Sequence, residues 1–159
     1  MRITSYRKIS KTDQLLLQMA KDAAGQSAPR GKRKVGCILL CGNGSVFTGA
    51  TVLRARVIGS TCAERMALDK WYFSGTREIP TTCYLVGVFN RKNWNNDFIC
   101  TPCGVCLEMF LELVADRKAR KVKFICSNWK LNQVLSAGLD ELFPQPGKGG
   151  WPYKKIVTS

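Results

Sequence analysis

Thr61-Cys62-Ala63-Glu64-Arg65-Met66-Ala67 and, about forty residues further on, Pro102-Cys103-Gly104-Val105-Cys106 are the two stretches around which the chain is organised. In the first, Ala63, Met66, Ala67 and Trp71 recur at helical spacing up to Ser74-Gly75, which predicts a helix with Cys62 and Glu64 in its first turn. In the second, Pro102 suits the first turn of another helix. Leu107, Phe110, Leu111 and Val114 supply that helix's apolar stripe, and Cys103 and Cys106 share one face of its start. A helix start presents unpaired N–H groups and the positive end of the helix dipole, which favours a thiolate over a thiol. If the two starts converge, the three thiolates can hold a zinc ion and leave its fourth tetrahedral position to a water, with Glu64 beside that water and not on the metal.

Outward from these stretches the pattern alternates strands with helices. Residues 1 to 10 read as a loose basic lead-in. Leu15, Leu16, Met19, Ala20 and Ala23 then mark an amphipathic helix between Ser10, its cap, and Gly25. Gly25 to Lys34 reads as a loop carrying Arg30, Lys32, Arg33 and Lys34, either a solvated charge cluster or an edge that contacts phosphate. Val35 to Cys41 and Val46 to Leu53, joined by Gly42-Asn43-Gly44-Ser45, predict a β-hairpin. Thr82 to Asn90 is apolar on both faces, as an interior strand would be, and the polar loop Arg91 to Thr101 with Trp94 and Phe98 follows it. After the basic connection Arg117 to Lys123, Val122 to Cys126 is a strand, Leu135 to Phe143 a short last helix stopped by Pro144, and residues 145 to 159 a tail of loose order. The most economical fold is one α/β domain over residues 1 to 159, with three α/β/α layers around a mixed central sheet.

At 159 residues, with 45% hydrophobic and 23% charged residues, the composition is that of an ordinary globular protein. No apolar run reaches the roughly 18 residues of a membrane span, and no apolar signal core follows the basic N-terminus. A cytoplasmic location is expected. The eight cysteines are Cys37, Cys41, Cys62, Cys83, Cys100, Cys103, Cys106 and Cys126. Five lie in or beside strand-like apolar runs, so Cys37, Cys41, Cys83 and Cys126 read as small buried hydrophobes in a reducing compartment, with Cys100 set apart by its nearness to the metal pair. There is no histidine, which removes the commonest zinc ligand and the commonest acid–base side chain.

The formal net charge is +14. Lys and Arg outnumber Asp and Glu by 11 to 2 in residues 1 to 60 and by 9 to 2 in residues 117 to 159, whereas residues 61 to 116 carry 5 against 7. The excess on the flanks favours anionic partners, nucleic acid included, although solubility alone accounts for much of it.

A cysteine followed by x-Glu, and later by Pro-Cys-x-x-Cys, is the signature of zinc deaminases. Zinc brings the pKa of a water toward neutrality, and Glu64 can take that water's proton and return it to a ring nitrogen and to the departing ammonia. The reaction so assembled is hydrolytic deamination of an amidine-like carbon such as C4 of cytosine. Three thiolates on a dication leave one net negative charge, which Arg65 can offset by hydrogen bonding to the ligand sulfurs; the alternative is a surface arginine. A structural zinc site would need a fourth protein ligand, here Cys100 or another cysteine.

At these residues the chain resembles the cytidine deaminase family. Its Cys-Ala-Glu-Arg and Pro-Cys-Gly-x-Cys forms resemble the small, homotetrameric, three-cysteine branch that also includes blasticidin S deaminase-like enzymes. The resemblance runs from about Val35 to Pro144, through Val35-Gly36, Phe47-Thr48-Gly49 and Leu142-Phe143-Pro144. It implies a zinc cofactor on Cys62, Cys103 and Cys106, Glu64 as proton shuttle, and a homotetramer. The departures lie in the substrate pocket. The nucleoside enzymes have Asn and Glu in the second strand where this chain has Thr51 and Leu53, followed by Arg54 and Arg56, and Phe-Pro where it has Arg33-Lys34. The substrate-binding candidates are Thr51, Arg54, Arg56, Ala63 and Pro102. The first expectation is a deaminase for a small cytosine-containing nucleoside, nucleotide or analogue. A polynucleotide cytosine deaminase, with Trp94 stacking on a base, and a non-catalytic zinc-stabilised interaction module are the alternatives.

Overall fold

The hairpin forms where the turn chemistry demands it: β2 (Arg33–Cys41) and β3 (Val46–Ala50) pair antiparallel from Gly36↔Ala50 to Leu40↔Val46. Between them Gly44 supplies a left-handed φ of 87°, and the Asn43 side chain accepts the Ser45 N–H at 2.9 Å. The computed structural model describes residues 1–29, 33–55, 59–89, 96–115 and 122–142, and the side chains of 113–115 are not among what it describes. The remaining elements are β1 (Arg2–Ser5), α1 (Lys11–Ala24), α2 (Ala63–Phe73), β4 (Pro80–Phe89), α3 (Gly104–Ala115), β5 (Lys123–Ser127), β6 (Gln133–Gly138) and α4 (Leu139–Leu142). The strands form one six-stranded sheet in the order β1-β6-β5-β4-β2-β3. β4 and β5 run parallel and the other pairs antiparallel, so the sheet is mixed, as expected.

Each face of the sheet is covered because the interior strands are apolar on both sides. α1 lays Leu16, Leu17 and Ala20 on Ile38, Tyr84, Val86, Ile125 and Val134. Its start is capped by Ser10, whose hydroxyl accepts the Asp13 N–H at 3.0 Å. A Cβ built on Gly36 would stand 1.9 Å from the Ala20 carbonyl oxygen, so α1 packs this closely only against a glycine. On the opposite face α2 and α3 bury Ala63, Ala67, Leu68, Trp71, Leu107 and Phe110 against Val35, Cys37, Leu39, Cys83, Leu85, Phe124 and Cys126. Phe110 meets Phe124 edge to face, with ring centroids 5.0 Å apart. The result is the three-layer α/β/α arrangement. Among the described residues no helix is long and apolar enough to cross a membrane.

The two ends of the described chain depart from expectation. Arg2–Ser5 is not a loose lead-in but an edge strand, paired with β6 from Arg2↔Ser136 to Ser5↔Gln133. Its side chains are largely exposed, so its place rests on backbone pairing with distant residues, which local periodicity does not reveal. Leu135 to Gly138 is likewise strand and not helix; β6 lies between β5 and β1, and α4 keeps only Leu139–Leu142. A short apolar run is ambiguous between the two states, and here neighbouring strands on both sides decide it. β2 begins at Arg33, β3 ends at Ala50 with Val52 only bridged, and α3 begins at Gly104, two residues beyond Pro102. Arg30, Lys32, Arg56, Trp94, Phe143, Pro144, residues 117–121 and the tail 145–159 lie outside the described residues.

Candidate metal centre and active site

The first ligand candidate is placed by a glycine. A Cβ on Gly49 of β3 would meet the Ala63 carbonyl oxygen at 1.9 Å and the Ala67 nitrogen at 2.8 Å, so the start of α2 settles directly on β3. Cys62 stands at the position before the helix in extended conformation (φ −72°, ψ 154°), and its carbonyl accepts the Met66 N–H at 3.0 Å. Glu64, two residues on, is only 4% exposed. Thr61 and Val52 exchange two backbone hydrogen bonds of 2.8 and 2.9 Å, which hold the approach to Cys62.

The second segment is held from below. The Cys100 N–H donates to the Ser127 carbonyl at 3.4 Å, the buried Asn128 amide donates to the Asp97 carbonyl at 3.3 Å, and Lys130 pairs with Asp97 at 2.9 Å. These contacts carry the loop to Pro102, which is buried just ahead of α3. The Cys103 carbonyl accepts the Leu107 N–H at 3.0 Å, so Cys103, too, stands immediately before its helix, while Cys106 is buried on the first turn. Both cysteine segments therefore open helices, and the two openings meet.

The Sγ atoms of Cys62, Cys103 and Cys106 all lie within 4.8 Å of one another, with Cys103 and Cys106 at 3.5 Å. A tetrahedral zinc with Zn–S bonds of about 2.3 Å places its sulfurs about 3.8 Å apart, so the donor set fits that ion in chemistry and in size. Among the described residues this is the one such group of metal-ligating side chains. Cys100, though 2% exposed, is outside it and packs its sulfur toward Gly87 and Val35. The Cys62 thiol is pushed down to about 6, first by the hydrogen bond from Cys106 and further by Cys103 and the charges of Arg33 and Arg65. Cys106, as donor and as a buried thiol, is pushed up. Burial pushes the Glu64 carboxyl up to about 7, and the neighbouring Cys62 adds to the rise.

Over residues 10–124 the chain matches the family model of the cytidine and deoxycytidylate deaminase zinc-binding region. The chain belongs to this deaminase family. It is 32% identical over 93 residues to a cytidine deaminase of Mycoplasma genitalium, a match over 58% of this chain and 62% of that one, less than two thirds of the relative's length. A cytidine deaminase of Halalkalibacterium halodurans is 33% identical over 107 residues, 66% of this chain and 75% of the relative. Among solved structures, cytidine deaminase from Burkholderia pseudomallei superposes with a TM-score of 0.69 at 27% identity, over 86% of this chain and 98% of that one. The Mycobacterium leprae cytidine deaminase shares the fold, with a TM-score of 0.63 at 23% identity over 86% of this chain and 100% of its own. Zinc is the metal of this family's binding region, and Cys62, Cys103 and Cys106 are positioned to hold it.

The other pocket candidates of this deaminase are placed less uniformly. Ala63 is fully buried, and its carbonyl oxygen lies over Gly49. Thr51 is buried, donating its N–H to the Val35 carbonyl at 3.0 Å and accepting that of Ala28 at 3.0 Å, directly before the Val52–Thr61 bridge. Arg54 is exposed, its N–H bonded to the Ser60 hydroxyl at 3.0 Å and its stem against Gly59. The Arg65 side chain is 51% exposed and 3.9 Å from Asp69, one turn along α2, while its charge still reaches Cys62. Arg33, which the sequence marks as a departure in the substrate pocket, where the family has Phe-Pro, but does not assign as a substrate contact, acts by its charge on Cys62, Glu64 and Cys100. The signal was present in the alternation of β2, which puts Arg33, Val35 and Cys37 on one face.

Proposed function

We propose that this chain is a zinc-dependent hydrolytic deaminase that converts a cytosine nucleoside to its uracil form with release of ammonia. The carrying observation is the meeting of three thiols from two helix starts beside the buried carboxyl of Glu64. When bound, zinc supplies the Lewis acidity that lets a water act as nucleophile near neutral pH. The chain's own part is to hold that ion on Cys62, Cys103 and Cys106 and to move protons on Glu64. Water adds to C4 of the ring. The Glu64 carboxylate accepts one of its protons and delivers it to N3, then carries the second from the new C4 hydroxyl to the amino group. The C4–N bond breaks as ammonia leaves, C4 becomes the carbonyl carbon of uracil, and Glu64 ends as it began. Burial of Glu64 excludes bulk water from that exchange, and Arg65 places a compensating charge near the ligand sulfurs.

Thr51, Arg54, Arg56, Ala63 and Pro102 are assigned to the substrate pocket, Thr51 and Ala63 on the support of their burial beside the Cys62 segment. The Cys-Ala-Glu-Arg and Pro-Cys-Gly-x-Cys forms support a homotetramer. All eight cysteines are free thiols, in keeping with a cytoplasmic location. The family match and the relatives do not favour the polynucleotide reading or the non-catalytic module.

Glu64→Gln is the direct test. Zinc content by atomic absorption should stay at one per chain while the loss of cytosine absorbance with cytidine falls by about 10²- to 10⁴-fold. Undiminished turnover in Glu64→Gln, or no turnover by the zinc-loaded parent, would overturn the reading.

A further inference from the structure

At the open end of β2, Arg33 pairs with Phe89 of β4 and lays its guanidinium over that ring, with Cζ 4.1 Å from the centroid. Alternation carries Arg33 to the same sheet face as Val35 and Cys37, the face on which α2 and α3 bring the three thiols together. Lys34 turns to the other face, where its ammonium lies 5.9 Å from the Trp129 ring centroid. Stacking fixes the plane of the Arg33 group and leaves its N–H edges free. Among the described residues no salt bridge or hydrogen bond engages that guanidinium, although it is half-buried. Its charge is nevertheless felt at Cys62 and Glu64. Among the described residues this is a half-buried cation with unspent donors, on the sheet face where the three thiols meet and with its charge felt there.

We propose that Arg33 is a specificity-determining residue that receives an anionic group, phosphate or carboxylate, carried by the cytosine-containing substrate. A planar guanidinium presents paired N–H donors that match the two oxygens of either anion, and the Phe89 ring holds that fork in place before the substrate arrives. The neutral sugar of a plain nucleoside leaves those donors without an acceptor. The proposal rests on the deaminase reading above and extends it to the substrate's charge.

The experiment compares kcat/KM of the zinc-loaded protein on cytidine, cytidine 5′-monophosphate and cytidine 5′-carboxylate, in the parent, Arg33→Gln and Arg33→Lys. Binding of uridine and uridine 5′-monophosphate is followed by calorimetry, so that affinity is read without turnover. In the parent the anionic substrates should be preferred, and the larger preference of the two identifies phosphate or carboxylate. In Arg33→Gln the ratio of anionic to neutral kcat/KM should fall about 10- to 100-fold, mainly through KM. Arg33→Lys should restore part of it, and the affinity for uridine 5′-monophosphate relative to uridine should fall in parallel. An unchanged ratio overturns the proposal. So does an equal loss on charged and neutral substrates accompanied by weaker zinc retention, which would assign Arg33 to the metal centre. If the parent turns over none of the three while uridine 5′-monophosphate still binds through Arg33, the deaminase reading fails and the anion site stands. If the parent turns over cytidine and the ratio ignores Arg33, only the present inference fails.

Discussion

The Ala63 carbonyl oxygen lies over Gly49 so closely that a Cβ on the glycine would stand 1.9 Å from it. The contact joins the floor of the site to the helix that presents Cys62 and Glu64, and no side chain other than hydrogen fits between them. In Gly49→Ala, α2 must lift off β3. We expect a loss of about 1–3 kcal/mol in urea unfolding together with weakened zinc retention. Gly44→Ala is the control, since nothing lies within 4 Å of its Cβ and only its φ of 87° opposes the change. Parent-like zinc content in Gly49→Ala would show that the helix start tolerates displacement.

Removal of zinc should cost stability as well as turnover, because the ligands come from separate segments and the ion ties the starts of α2 and α3 together. With free zinc a thousandfold above its Kd, the difference in unfolding free energy between loaded and stripped protein should be about 4 kcal/mol. Scanning calorimetry with and without a chelator measures it. Cys103→Ser should remove most of that difference, and an identical melting temperature in the two states would refute the cross-link.

Alkaline pH should weaken the α1 contact. The Tyr84 hydroxyl donates to Asp13 at 2.7 Å, and burial, followed by that bond to a carboxylate, raises its pKa above the ordinary 10.0. Below that value the tyrosine is neutral in both the folded and the unfolded chain, and its stabilisation is complete. Above it the unfolded chain releases a proton that the folded chain retains, so stability falls by about 1.4 kcal/mol per pH unit until the folded pKa is passed. Tyr84→Phe should lack this component when urea midpoints are compared from pH 9 to 11. Equal slopes in the two proteins would contradict it.

Asn128 holds the loop that delivers Cys103. Its amide donates to the Asp97 carbonyl and to the Asn132 side chain, and its oxygen accepts the Asn132 N–H at 3.1 Å. Asn128→Ala removes all of these bonds, whose partners lie on the half-buried Asp97 and the exposed Asn132, at a cost of about 1–2 kcal/mol. Amide exchange in residues 96–103 should quicken before that of β4. If exchange there is unaltered, the loop is held by something else.

The candidate metal centre was legible because its chemistry needs particular residue types at particular offsets. Cys62, Glu64, Cys103 and Cys106 announced themselves, and the absence of histidine left few competitors for their roles. β2, α1 and α2 were equally readable from periodicity and from Ser10 and Gly44. What periodicity could not show was pairing between remote segments: nothing in Arg2–Ser5 marks it as a strand until Gln133–Gly138 is beside it, and Leu135 looks helical until β1 and β5 flank it. Arg33 was marked as a pocket departure, but its particular role was not legible, for a related reason. In the sequence it belongs to a basic cluster, and only its register opposite Phe89 separates it from the surrounding charge.

The pairing of β1 with β6 also bears on how the chain is made. A ribosome delivers Arg2–Ser5 well before Gln133–Gly138, so this strand waits for most of the described chain to emerge before it finds its place. Until then β6 offers an open edge on which another chain's strand can dock. The metal segments and the residues that hold them, Ser127, Asn128 and Lys130, are complete earlier, before β6 has emerged. A nascent chain can therefore assemble its reaction centre before its sheet is closed, and the vulnerable interval in its biogenesis falls between those two events.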